Sequence, residues 1–169
     1  MAVANTKSNG ITNADATPMV RSSRVLIGAP VLCAVATLAV AAADDNDSVY
    51  RFVRLPSNAV VLKIDLFNDA ITSGTDFDVG IYQTAANGGA LVNVNTFADA
   101  VDLSSARVAP LDITHEAGGD DAIELAEKKL YELLSIATDP QREYDLCMTG
   151  VAVGSAAGDI TLKVYYTVG

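Results

Sequence analysis

His115 followed by Glu116 is the one place in the chain where an imidazole stands beside a carboxylate. Such a pair can do acid–base work, because histidine titrates near neutrality and a carboxylate can orient the ring. His115 is the only histidine among 169 residues, and the serines are scattered, with no Gly-x-Ser-x-Gly elbow. With no nucleophile beside it, the expected role is a loop histidine ahead of the Gly118-Gly119 turn and a helix cap, in a chain that is not an enzyme.

Metal chemistry has two candidate stretches, Asp44-Asp45-Asn46-Asp47 and Asp76 with Asp78. Calcium takes six or more converging oxygens, and neither stretch has the EF-hand spacing with its glycine and terminal glutamate. Asp and Asn are also ordinary turn residues, so no metal and no other cofactor is expected. Cys33 and Cys147 lie in the apolar contexts Val-Leu-Cys-Ala-Val and Asp-Leu-Cys-Met-Thr. They read as small hydrophobes on strands rather than a disulfide or half of a zinc site. Gly118-Gly119 is followed by Asp120 and Asp121, which would repel the anion that a phosphate loop holds.

The cations matter more by where they fall. The chain carries −10 overall, but residues 1–43 hold Lys7, Arg21 and Arg24 against Asp15, a net +2 that leaves −12 for the rest. An acidic body without clustered Lys and Arg does not neutralise phosphates, so no nucleic acid is expected as a partner. Arg51, Arg54 and Lys63, expected near Tyr50 and Phe52 on one sheet, would balance acidic neighbours or meet a partner subunit.

These groups need elements to position them. A chain of 169 residues fits one domain, and although half of it is apolar, 27 residues are alanine and none is tryptophan. Residues 1–24 are polar, lack hydrophobic periodicity and should not order alone, which makes them an extended arm and a candidate contact to a neighbouring subunit. Residues 25–169 are expected to form a single β-sandwich domain. Val49–Leu55 reads as a strand with Val49, Arg51 and Val53 on one side and Tyr50, Phe52 and Arg54 on the other. Ala59–Phe67 follows, with Leu62, Ile64 and Leu66 facing one way and Lys63 and Asp65 the other. Phe77–Thr84 runs into Asn87-Gly88-Gly89, a hairpin signal because glycine accepts positive φ. Leu91–Thr96 and Leu111–Thr114 are weaker strands. Tyr144–Val153 and Ile160–Val168 close the chain, the latter with Ile160, Leu162, Val164, Tyr166 and Val168 on one face. A single helix is expected over 121–136, started by Asp121 and Glu124 as a capping box and carrying Ile123, Ala126, Leu130, Leu133 and Leu134 as one apolar stripe. Six to eight mostly antiparallel strands with one inserted helix describe a mainly β protein, an antiparallel β-sandwich of jelly-roll type.

Val25–Ala43 is an uncharged run of 19 residues after Arg21 and Arg24, the outline of a secretory signal. Gly28 and Pro30 break it, its basic flank lies late for such a signal, and Ala and Val outweigh Leu. The same features count against a membrane span, so no membrane partner is expected. The alternation from Val31 to Leu38 reads instead as a strand buried on both faces.

The run Ser48, Tyr50-Arg-Phe-Val-Arg-Leu-Pro-Ser-Asn58, Val61, Lys63-Ile-Asp-Leu-Phe67 and Asp69 resembles a small virion protein of tailed bacteriophages. Asp78-Val-Gly-Ile-Tyr-Gln-Thr84, Gly88-Gly-Ala-Leu-Val92, Ala126-Glu-Lys-Lys-Leu-Tyr-Glu-Leu-Leu134, Asp139-Pro-Gln-Arg-Glu-Tyr-Asp145 and Gly158-Asp-Ile-Thr-Leu-Lys-Val164 are similar to the same group, so the resemblance spans from about residue 31 to the C-terminus. These phrases are structural and none is catalytic. The resemblance implies a capsid cement or decoration protein, made in the bacterial host cytoplasm, that binds the outer surface of an icosahedral head. Its implied partners are the major capsid protein and further copies of itself, as a trimer or dimer. Lys7, Arg21, Arg24, Arg51 and Arg54 are the expected contacts to the shell or to neighbouring subunits. A head-completion or tail protein of the same particle is the nearest alternative. A secreted sandwich that binds carbohydrate is disfavoured by the shortage of aromatic side chains.

Overall fold

Eight strands make the body of the protein in the computed structural model, which describes residues 6–169. In chain order they are β1 (Leu32–Val40), β2 (Ser48–Pro56), β3 (Ala59–Asn68), β4 (Asp76–Gln83), β5 (Leu91–Ala98), β6 (Arg107–Asp112), β7 (Glu143–Ala152) and β8 (Gly158–Val168). Two short helices accompany them, α1 (Asn9–Ala14) and α2 (Leu130–Leu133). One sheet has the order β1-β8-β3-β6, the other β2-β7-β4-β5, and every neighbouring pair is antiparallel. This interleaving of the first, last and middle strands is the eight-stranded jelly roll expected from the sequence.

Alternation explains the core. Ile160, Leu162 and Val164 of β8 meet Ile64 and Leu66 of β3 within one sheet, facing Phe77, Val79 and Ile81 of β4 and Leu146 and Met148 of β7 from the other. The β4–β5 connection turns through a 3-10 segment at Ala85–Asn87, and Gly88 (φ 96) and Gly89 (φ 68) supply the left-handed backbone expected there.

Bulges alter the faces that strict alternation predicts. In β2 the register slips between Arg51 and Val53, so Phe52 is an extra residue. Tyr50 and Leu55, five positions apart, then both reach the core, while Arg51 and Arg54 share the outer face instead of facing opposite ways. In β3 the slip between Val61 and Lys63 makes Leu62 the extra residue. Leu62 is 44% exposed and Val61 takes its expected place inside.

The helix expected over 121–136 shrinks to a 3-10 turn at Ile123–Leu125 and the single turn of α2. Its intended start is held by a strand: the Asp120 N–H donates to the Asn95 carbonyl (3.0 Å) and the Asp121 N–H to that of Thr96 (2.7 Å). Lys129, with ψ 155, interrupts the helical path again. Ile123 is consequently 75% exposed, and only Leu130, Leu133 and Leu134 of the apolar stripe pack on the core.

The expectation for the Val31–Leu38 run also needs correction. It is a strand, β1, but it lies at a sheet edge and is not buried on both faces: Cys33, Val35 and Thr37 are exposed, and only Val40 at its end is buried. Small aliphatic side chains look like core in a sequence. Here β8 flanks them on one side only. The first five residues of the arm lie outside the described residues. Within the remainder, residues 9–14 wind into α1 rather than run extended, capped by Ser8, whose side chain accepts from the Ile11 N–H (3.4 Å).

Candidate functional site

The outer face of the β2-β7-β4-β5 sheet carries the most organised polar cluster. The bulge at Phe52 aims Arg51 and Arg54 at the same carboxylate on β7. Arg51 Nη1 donates to Asp145 Oδ2 (3.0 Å) and Arg54 Nε to Asp145 Oδ1 (2.8 Å). Arg51 also donates to the carbonyls of Gln83 (3.0 Å) and Gly89 (2.9 Å), and its guanidinium lies 5.3 Å from the centre of the Tyr82 ring. Arg51 is thus consumed in holding the β4–β5 turn against β2. Arg54 has no other hydrogen-bond partner among the described residues, and half its side chain remains exposed. Phe52, Val53 and Ala85 complete a shallow depression around this cluster. Lys63 does not join it, because β3 belongs to the other sheet, where Lys63 pairs with Asp65 (2.8 Å).

Further along the same face the chain closes over itself. Four residues of β5, 94–97, stand opposite Gly80 alone, and a Cβ on Gly80 would lie 2.2 Å from the carbonyl oxygens of Asn93 and Val94. A glycine in the middle of Asp78-Val-Gly-Ile-Tyr82 was the sequence sign of this close crossing. Beneath it Cys147 is fully buried, and desolvation pushes its thiol up to about 12, which keeps it protonated and inert. Cys33 is exposed, and neither cysteine is bonded to another. Asp78, on the same face, is raised to about 6, first by burial and further by its neighbours Asp99 and Asp76.

His115 and Glu116 take different partners. Glu116 Oε2 accepts from the N–H groups of Gly118 (2.9 Å) and Asp99 (3.3 Å), a turn function. His115 turns to Asp121, with Nδ1 2.9 Å from its carbonyl oxygen and 3.5 Å from Oδ2. Burial raises the Asp121 carboxyl to about 6, opposed by His115. In the Asp44 cluster, Asp44 Oδ2 accepts from the Ala41 N–H (2.9 Å) and the Tyr50 hydroxyl (2.9 Å), and Asn46 Oδ1 from the Val153 N–H (3.3 Å). Those oxygens serve turns, and no group of three or more metal-ligating acidic, His or Cys side chains occurs among the described residues.

The arm's cations are spread out. Lys7 pairs with Asp15 (2.8 Å), while Arg21 and Arg24 are exposed and have no ion-pair partner among the described residues. The segment is notable for what it leaves uncovered: Ile11, Met19, Val20, Leu26, Ile27 and Val31 are all exposed. It is tied to the sandwich at Val25, which is buried, accepts from Thr167 Oγ1 (3.1 Å) and lies against Gly169. No described helix is long and apolar enough to cross a membrane.

No protein-family model matches the sequence, and no curated protein matches it. Solved structures do. A chain in "Capsid of Ralstonia phage GP4" superposes with a TM-score of 0.57 at 16% identity, covering 83% of this chain and 85% of that one. Chains in "Cyanophage Pam1 capsid asymmetric unit" (TM-score 0.44, 16% identity, 85% and 88% covered) and in "Acidic stable capsid structure of Helicobacter pylori bacteriophage KHP30" (0.42, 16%, 82% and 92%) align less closely. The first of these likenesses establishes a shared fold.

Proposed function

We propose that this chain is a non-enzymatic structural protein of a phage virion, bound to the outer surface of an icosahedral capsid, where it bridges major capsid subunits as a cement or decoration protein. The observation that carries this reading is the jelly roll shared, over most of both chains, with a chain in the capsid of Ralstonia phage GP4. The arm supports it. A segment that leaves Ile11, Met19 and Val20 in water beside Arg21 and Arg24, which have no ion-pair partner among the described residues, is suited to lie along another protein. Of Arg51 and Arg54, Arg54 is the freer for the same purpose, since Arg51 is held by Asp145 and two carbonyls while half of the Arg54 side chain stays exposed. Contacts that exist only when two shell subunits are adjacent stabilise the lattice by mass action, without any chemical step. A body of −12 suits a face turned to solvent and away from packaged DNA.

The test is co-sedimentation with purified capsids lacking this protein. The full chain should bind saturably, and a chain lacking residues 1–24 should keep its thermal unfolding transition but bind at least about tenfold more weakly. Undiminished binding of the shortened chain overturns the role of the arm. Failure of the full chain to bind any capsid overturns the function.

A further inference from the structure

The jelly roll has four edge strands, and three of them are protected against pairing. β6 is six residues long, contains Pro110 and carries Arg107 and Asp112. β2 is bulged at Phe52 and bears Arg51 and Arg54. β5 is doubly irregular, and its outer side is occupied by the 116–121 loop through Phe97, Asn95 and Thr96. Charges, prolines, bulges and coverings are the devices by which edges avoid adding a strand.

β1 has none of them. Its sequence, Leu-Cys-Ala-Val-Ala-Thr-Leu-Ala-Val, has no charge, proline or glycine, and its nine residues pair with β8 without a register shift. Its other side has no strand beside it among the described residues. Val35 at its middle is 59% exposed, and Val31 and Leu32 at its start are exposed as well. A neutral, flat edge of this length recruits another strand.

We infer that the β1 edge is a self-association site, at which β1 of a second copy of this chain adds antiparallel about a two-fold axis and joins the two β1-β8-β3-β6 sheets into one. Charge selects this occupant. Residues 16–43 contain no Asp or Glu, although the chain has 21 of them, so along this strand two acidic bodies can approach without setting carboxylates of β1 against one another. The strand is entered from Arg21 and Arg24 and left through Asp44, Asp45 and Asp47. Antiparallel pairing therefore sets the acidic turn that leaves one strand beside the uncharged residues 25–31 that enter the other, and never acid against acid, at both ends of the junction. Within the strand every cross-pair is aliphatic, Thr or Cys, so no register sets like charges opposite one another. The inference concerns the free chain and does not rest on the capsid reading.

Val35 is the point at which to test it, because it faces outward opposite Lys163 on β8 and is not part of the core. Sedimentation velocity of the full chain across a concentration series should show a monomer–dimer equilibrium. Val35→Glu and Val35→Lys should each weaken dimerisation on the order of tenfold by placing like charges near the two-fold axis. An equimolar mixture of the two should restore it, which repulsion at an unrelated surface would not do. Thermal unfolding of each variant confirms that the fold is intact. A wild-type chain that stays monomeric overturns the inference, as does dimerisation unchanged in both variants. Loss of capsid binding in Val35→Glu with a monomeric wild type also overturns it, and assigns the edge to a strand from another protein.

Discussion

The two sheets present opposite kinds of outer surface. On the β2-β7-β4-β5 sheet the outward residues Asp78, Tyr82, Asp145, Cys147 and Thr149 are all buried, although they face away from the core. The crossing of β5 over Gly80, the stacking of Arg51 on Tyr82 and the hydrogen bond between the Tyr82 and Thr149 hydroxyls (2.8 Å) seal them. On the β1-β8-β3-β6 sheet the outward Cys33, Val35 and Thr37 of β1 are open to solvent, while further in Asp65 of β3 is buried and Val25 covers the end near Thr167. A sealed face fixes geometry through many buried polar contacts and offers a partner chiefly its rim, where Arg54 stays half exposed. An open face of small side chains contributes little to stability and remains free to pack against something else. The division of labour is thus between a sheet that holds the fold and a sheet that is available to bind.

Substitutions on the two faces should separate accordingly. Gly80→Ala forces a methyl into the β5 backbone and should cost at least about 3 kcal/mol in urea unfolding. A loss below about 1 kcal/mol would mean that the crossing is loose and the face is not sealed. Asp78→Asn probes the same face through pH. A carboxyl raised to about 6 in the fold, above its ordinary 3.8, costs stability where it is ionised. That cost is full above pH 6 and fades as pH falls toward 4. The amide keeps an acceptor for the Ala100 N–H that Oδ1 receives at 3.1 Å. Asp78→Asn should therefore melt about 3 °C higher than wild type at pH 8, with the difference vanishing near pH 4. A pH-independent difference would assign the effect to packing. On the open sheet, Thr37→Val deletes the hydroxyl contact to Thr161 (2.8 Å) and should change stability by less than about 0.5 kcal/mol in the same urea assay. A loss comparable to that of Gly80→Ala would erase the distinction between the faces.

Strand positions were legible because period-two alternation is a local signal: β8 was read residue by residue, with Ile160, Leu162 and Val164 inside. What depends on a neighbour was not. The bulges at Phe52 and Leu62 are set by registers with β7 and β8, and each reverses a face that the isolated strand predicts. The Asp121 start looked like a cap because its spacing to Glu124 is right. The backbone there is claimed instead by Asn95 and Thr96 of β5, which no short window of sequence contains. The pairing of Arg51 and Arg54 with Asp145 was half legible: compensation by an acid could be expected from the charge balance, but the partner lies more than ninety positions away. Val31–Leu38 shows the converse. Composition revealed a strand, and only topology revealed that it was an edge.

The partnership of β1 with β8 also sets an order of events during folding. Thr37 and Thr161 touch across a separation of 124 residues, and β8 sits between β1 and β3 in the middle of its sheet. Until β8 has been synthesised, β1 has no strand to pair with on either side, and β3 lacks one of its two neighbours. Contacts this distant are slow to form, and the waiting strand is the neutral one. The nascent chain is therefore most prone to aggregate through Leu32–Val40 in the interval before Gly158–Val168 arrives. Chaperones that shield short apolar strands should raise the yield of this protein during its synthesis.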